Sequence, residues 1–139
     1  MPAFKIAVIG GDGIGPEVID QAVRVLEVVT KKANASFTWN KLPWSAINYE
    51  KTGVMVPGDG WDLLKKHDAI FLGAVGHPSV SDHIPVHGLL LPMRRMFDQY
   101  VNLRPSYLYE GVDSPLRDKA PCSIDILFFR ENTEGEYAP

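Results

Sequence analysis

The opening of the chain leaves few ways to fold. Phe4-Lys5-Ile6-Ala7-Val8-Ile9 is a short apolar run of the kind that forms a buried strand. It passes straight into a glycine-rich turn, Gly10-Gly11-Asp12-Gly13-Ile14-Gly15, followed by Pro16-Glu17. Proline suits the first turn of a helix, where its missing N–H costs nothing, and an acidic residue there complements the helix dipole. Val18, Ala22, Val25, Leu26 and Val29 then recur at helical spacing as one apolar stripe. Lys31 and Lys32 fall in the last turn, and Asn34 can close it. Residues 36–42 have the pattern of a second strand. Two strands joined by a helix in one sheet run parallel, with a right-handed crossover. The fold class is therefore α/β.

Further along, residues 45–53 and 60–67 read as short helices around a Val56-Pro57-Gly58-Asp59-Gly60 turn. Residues 69–75 form a strand that ends in a loop from Gly76 to His87, rich in His, Pro, Ser and Asp. A helix is expected from Leu89 to Phe97, an extended segment from Tyr100 through Arg104-Pro105, and an apolar strand from Ser123 to Phe129. No repeat, low-complexity tract or heptad pattern interrupts this order. The sequence stops soon after Tyr137 with no closing element, which reads as a fragment.

Composition narrows the function classes. A net charge of -3, with Lys and Arg dispersed, argues against nucleic-acid or membrane-surface binding. No apolar stretch is long enough to span a bilayer, and the start is no secretory signal. A single cysteine, Cys122, cannot close an internal disulfide and suits a reducing compartment, so a cytoplasmic location is expected.

The glycine-rich turn has two readings. It serves as a strand-to-helix turn in any α/β protein, or as a loop that lets a cofactor approach backbone N–H groups at a helix N-terminus. It is no dinucleotide fingerprint, because no glycine in residues 10–15 begins G-x-G-x-x-G. Arg94, Arg104 and Arg130 are more informative. Arg94 shares a helical face with Leu90 and Phe97, Arg104 follows that helix, and Arg130 ends an apolar strand. Each could be a surface ion pair. Together they also fit a pocket for a small dicarboxylate, because the planar guanidinium fork grips a carboxylate with two parallel hydrogen bonds. Arg95 lies one step round the helix and is expected to face solvent or a carboxylate neighbour. Tyr137 follows Arg130 in a turn-rich segment, either as a core-edge aromatic or as a proton donor. His77, His83 and His87 share one loop, but no acidic residue or cysteine completes tetrahedral zinc spacing there.

Four motifs taken together carry a resemblance. They are G-D-G-I-G-P-E-V (11–18), G-A-V-G (73–76), M-R-R-M-F-D-Q-Y-V-N-L-R-P (93–105) and R-E-N-T-E-G-E-Y (130–137). In this order the chain resembles the β-decarboxylating dehydrogenases, which act on isocitrate, isopropylmalate, D-malate and tartrate. The run D-H-x-x-x-x-G-L-L (82–90) with F-D-Q-Y-V-N-L-R-P is most similar to the D-malate/tartrate branch. Gly10 departs from the proline that often precedes G-D-G-I-G, and His77-Pro78 departs from a glycine in some branches.

The resemblance implies an isocitrate/isopropylmalate dehydrogenase-like fold: an open, mostly parallel sheet with helices on both faces, incomplete in this chain. Residues 1–102 would be the first part of the large α/β domain, and 103–139 the beginning of a second, dimerisation and substrate domain. It further implies NAD as cofactor, Mg2+ or Mn2+ as the metal, a small 2-hydroxy dicarboxylate as substrate, and a homodimer. By position, Arg94, Arg104 and Arg130 match the arginines that grip the substrate's carboxylates. Leu90 matches the residue that senses its variable group. Tyr137 matches the tyrosine that protonates the enolate carbon after CO₂ leaves. Ile14, Gly73, Ala74, Val75 and His77 match segments near the nicotinamide end of the cofactor. The metal's aspartates, a catalytic lysine and the adenosine loop are expected beyond residue 139. None of the 17 acidic residues pairs with another at i, i+4, so no metal ligand is expected within the chain. Two alternatives stand beside this reading: a dehydrogenase of the same family acting on isopropylmalate or isocitrate, and a non-catalytic, truncated module that binds a carboxylate or a partner.

Overall fold

A computed structural model describes residues 1–134. The chain divides into two compact units, Met1–Pro92 and Met93–Pro139. In the first, β1 (Ala3–Gly11) is the middle strand of a three-stranded sheet, flanked by β2 (Ser36–Leu42) and β3 (Ala69–Ala74). Both pairings are parallel, as the strand–helix–strand order requires. Ile6 and Val8 point to one face, where Ile19 and Val23 of helix α1 (Gly15–Lys32) meet them with Phe37, Trp39 and Phe71. Phe37 and Trp39 meet edge to face at 5.2 Å, the arrangement their ring quadrupoles favour. Ala7 and Ile9 alternate to the opposite face and are fully buried as well. Side chains such as Val8 and Ile9 each contribute about 1.5–3 kcal/mol by leaving water.

The helical face of α1 differs from the expected stripe. Ile19 is buried, Val23 packs on the sheet, and Thr30 is buried with its hydroxyl donating back to Leu26 O at 2.8 Å. Val18, Val25 and Val29 are exposed instead. Ala22 and Leu26 of the expected stripe are half-buried, so the face taken by the sheet overlaps the stripe at those two positions and turns away from its three valines. The end of α1 follows the expectation. Asn34 takes a left-handed φ of 51°, with Ala35 N donating to Thr30 O at 2.9 Å and Asn34 N to Lys31 O at 3.3 Å, a Schellman closure.

Helix α2 (Ala46–Thr52) starts at Ser45, whose hydroxyl accepts from Asn48 N at 2.9 Å, and stops at left-handed Gly53. Helix α3 (Gly60–Leu64) follows, and His67 Nδ1 lies 2.9 Å from Leu63 O at its end. The next helical segment begins earlier than the sequence suggested. Helix α4 (His83–Pro85), a π-helical turn (Val86–Leu90) and helix α5 (Leu91–Met96) run on without interruption. Pro85 fell within the expected loop, but proline is tolerated in a first turn. A Cβ on Gly88 would press on the buried Met55 side chain at 2.8 Å, so glycine is there for packing.

In the second unit, α5 ends in another Schellman closure. Gln99 N donates to Arg94 O at 2.8 Å and Asp98 N to Arg95 O at 3.2 Å, with Asp98 at φ 47°. Aspartate tolerates that left-handed position better than a branched residue would. Strand β4 (Val101–Tyr107) then pairs antiparallel with β5 (Asp125–Glu131). Val101, Leu103, Phe128 and Phe129 of this two-stranded ribbon are exposed. Among the described residues no helix is long and apolar enough to cross a membrane.

Candidate active site

The glycine-rich turn joins β1 to α1 at the carboxyl end of the parallel strands, where open α/β sheets collect ligands. Its glycines first serve packing. A Cβ on Gly11 would run into the Ala74 carbonyl, and one on Gly15 into Gly10 O and Ala74 N. A Cβ on Gly73 would meet Gly10 O in turn. Turn and strand end therefore touch backbone to backbone, and Asp12 N donates to Ala74 O at 2.7 Å across the seam. Gly13 and Gly76 differ: both have positive φ, and a Cβ on either would meet nothing within 4 Å. Ile14 stands 64% exposed at the start of α1. Gly73, Ala74 and Val75 form the end of β3 and its exit, and His77 follows, half-buried, with Nδ1 2.8 Å from Ser79 Oγ. Gly11 pairs with Ala74 in the sheet register, so the segments around 10–15 and 73–77 are neighbours.

Asp12, which sequence reading passed over, organises this region. It is 3% exposed. Its Oδ2 accepts from Ala46 N at 2.7 Å and Gly76 N at 3.1 Å, and its Oδ1 from Ile47 N at 3.0 Å. Burial pushes the carboxyl pKa up. The N–H groups of Ile47, Ala46 and Gly76, with His77 nearby, outweigh burial and hold it below the ordinary carboxylate value. No local signal could have found this role, because the partners lie 34, 35 and 64 positions away.

The substrate-side residues fall in a different setting. Arg104 lies in β4 and Arg130 in β5. Asn102 pairs directly with Arg130, so Arg104, two positions along, sits diagonally across from it on the same ribbon face. Arg94 belongs to α5, held at the helix end by the closure at Asp98. Among the described residues, neither Arg94 nor Arg104 is held in an ion pair. Arg95 and Arg130 do have interaction partners. Immediately after Arg130, Glu131 accepts from Glu134 N at 2.6 Å and from Thr133, which lowers its pKa and ties the turn. Leu90 closes the π-helical turn half-buried, next to fully buried Leu89. Tyr137 lies outside the described residues. Among those described, no group of three His, Cys, Asp or Glu could hold a metal ion. A cleft of about 610 Å³ opens between α1, the end of β2 and α2, but Ile14, Gly73, Ala74, Val75 and His77 do not line it.

Comparison with known proteins decides the lineage. Residues 5–139 match the family model described as isocitrate/isopropylmalate dehydrogenase. The chain belongs to this family. It is 48% identical over 139 residues to a probable tartrate dehydrogenase/decarboxylase of Agrobacterium vitis, covering 99% of this chain and 39% of that protein. It is 46% identical over 140 residues to the decarboxylating D-malate dehydrogenase of Escherichia coli, again covering 99% of this chain and 39% of that protein. Among solved structures, the isocitrate dehydrogenase of Methylococcus capsulatus superposes with a TM-score of 0.75 at 28% identity, over 96% of this chain and 36% of that one. The fold is thus the isocitrate/isopropylmalate dehydrogenase-like one, and the chain spans about two fifths of the curated relatives' length.

Two stability outcomes follow from the turn. Gly15→Ala forces a Cβ into backbone and should cost about 3 kcal/mol or more, whereas Gly13→Ala meets only the left-handed φ penalty of about 1–2 kcal/mol. Urea unfolding of both variants measures the difference, and equal costs would contradict the close seam. Asp12 has a depressed folded pKa, so its contribution is fully present above the unfolded value near 3.9 and fades as pH falls through the folded one. Asp12→Asn should flatten that part of the acid-unfolding profile; an unchanged profile would contradict the depressed pKa.

Proposed function

We propose that this chain supplies one part of the site of an NAD- and divalent-metal-dependent dehydrogenase that oxidises and decarboxylates a small 2-hydroxy dicarboxylic acid of the D-malate/tartrate type. The reading rests above all on Arg104 and Arg130, diagonal neighbours on one ribbon face in a chain whose relatives include tartrate, D-malate and isopropylmalate dehydrogenases, the tartrate enzymes at the highest identity of these. Arg94, Arg104 and Arg130 bind the substrate's carboxylates through their planar forks, orienting the 2-hydroxyl carbon. Leu90 forms the aliphatic wall that the variable group meets. An added carboxylate, as in isocitrate, would lie unpaired against it. Ile14, Gly73, Ala74, Val75 and His77 flank the nicotinamide end of the cofactor. The open space beside Gly13 and Gly76 suits a close approach there. Tyr137 delivers a proton to the carbon that loses CO₂.

The divalent metal, Mg2+ or Mn2+, supplies Lewis-acid polarisation of the 2-hydroxyl and its carboxylate when bound, and NAD accepts the hydride. The described residues offer no ligand set for that metal, so its ligands are assigned to segments of the longer relatives that this chain does not match. On the same reading residues 1–102 begin the large domain and 103–139 the second one. The complete enzyme is a cytoplasmic homodimer.

A protein extended to the relatives' length should reduce NAD with D-malate or meso-tartrate and a divalent metal, in preference to isopropylmalate and isocitrate. Preference for either of the latter would move the substrate within the family. No turnover with any of the four would favour a binding module. The 139-residue chain tested alone should reduce no NAD, and metal-dependent turnover from it would contradict the divided site. In the extended protein, Arg104→Lys should lose at least tenfold in kcat/KM, about 1.4 kcal/mol, because a point charge replaces the fork. Unchanged kinetics would remove Arg104 from the site.

A further inference from the structure

We propose that Asp12 is a positioning residue: its buried carboxylate locks the glycine-rich turn, the start of α2 and the Gly76 loop into the one arrangement that binds the nicotinamide end of the dinucleotide. The inference rests on the reading of residues 14 and 73–77 as cofactor contacts, and adds a residue that touches no cofactor itself.

The geometry carries it. The two carboxylate oxygens collect three backbone N–H groups from two separate segments, Ala46 and Ile47 at the start of α2 and Gly76 after β3. The same residue's N–H donates to Ala74 O at 2.7 Å, and its carbonyl accepts from Gly15 N at 2.9 Å. Asp12 therefore holds both sides of the seam between β1 and β3. The residues proposed to meet the cofactor flank these anchors directly: Ile14 is two positions past Asp12, and Gly73 to Val75 and His77 surround Gly76. Close packing fixes the turn at Gly11 and Gly15, and the carboxylate of Asp12 ties that packed seam to the start of α2 and to Gly76. Gly13 and Gly76 take positive φ with open space where a Cβ would stand, so no side chain packs there to hold the loop. The start of α2 gains equally. Its first two N–H groups go to Asp12 and the third to Ser45 Oγ, so every early donor of that short helix is satisfied.

Ordinary fold maintenance would make Asp12 matter for stability alone. A positioning role predicts a split. In the protein extended to the relatives' length, Asp12→Asn keeps the shape but turns one acceptor into a donor facing an N–H. It should weaken NADH binding, measured by fluorescence titration without substrate, at least tenfold. The KM for the hydroxy acid should change less than threefold. Asp12→Glu, which keeps the charge but misplaces it, should lie between the two. Unchanged NADH affinity in a folded variant overturns the assignment of Asp12 and leaves the proposed function standing. If the wild-type protein binds no NADH, both readings fall. Should neither variant fold, amide hydrogen exchange on the wild-type protein decides: added NADH should slow exchange at Ala46, Ile47 and Gly76. Exchange unmoved at all three in NADH-saturated protein overturns the clamp.

Discussion

A carboxylate shut away from water is costly unless its oxygens are satisfied, and Asp12 meets that demand with backbone donors alone. The donors come from a helix start and a loop that are distant in sequence, so satisfying one side chain fixes two segments at once. Around it, the glycines of the turn and Gly73 let two stretches of backbone approach without side chains between them. Without Asp12 the N–H of fully buried Ala46 would lose its partner. The parallel sheet, α1 and the surface proposed for the cofactor all start from this junction.

The arginines obey a different logic. Nothing about a single Arg in an exposed ribbon implies a ligand, since surface ion pairs are common and weak. What raises Arg104 and Arg130 above that background is register. An antiparallel pairing of Asn102 with Arg130 puts two guanidinium groups on one face as diagonal neighbours. The left-handed Asp98 makes the turn from α5, which bears Arg94, toward β4.

Local chemistry made much of this legible. The strand, glycine turn, Pro16 and Glu17 announced the parallel unit, and Asn34 announced the end of α1, because each acts through near neighbours. The family motifs pointed to the three arginines. Where signals were ambiguous, the sequence misled in identifiable ways. Of the apolar stripe expected on α1, Ala22 and Leu26 are half-buried while Val18, Val25 and Val29 are exposed. Pro85 read as loop, although it fits a first helical turn.

By itself, then, the sequence determined the fold class, most of the order of elements and the residue types available for chemistry, which follow from short-range pattern and composition, while the family came from resemblance of whole motifs and from comparison with known proteins. Tertiary structure decided which face of α1 meets the sheet, how Arg104 and Arg130 align across two strands, and that Asp12 serves as the buried clamp. The reason is physical. Periodicity and turn chemistry act over a few residues, whereas burial and hydrogen-bond satisfaction depend on partners as far as 64 residues away that only folding brings together.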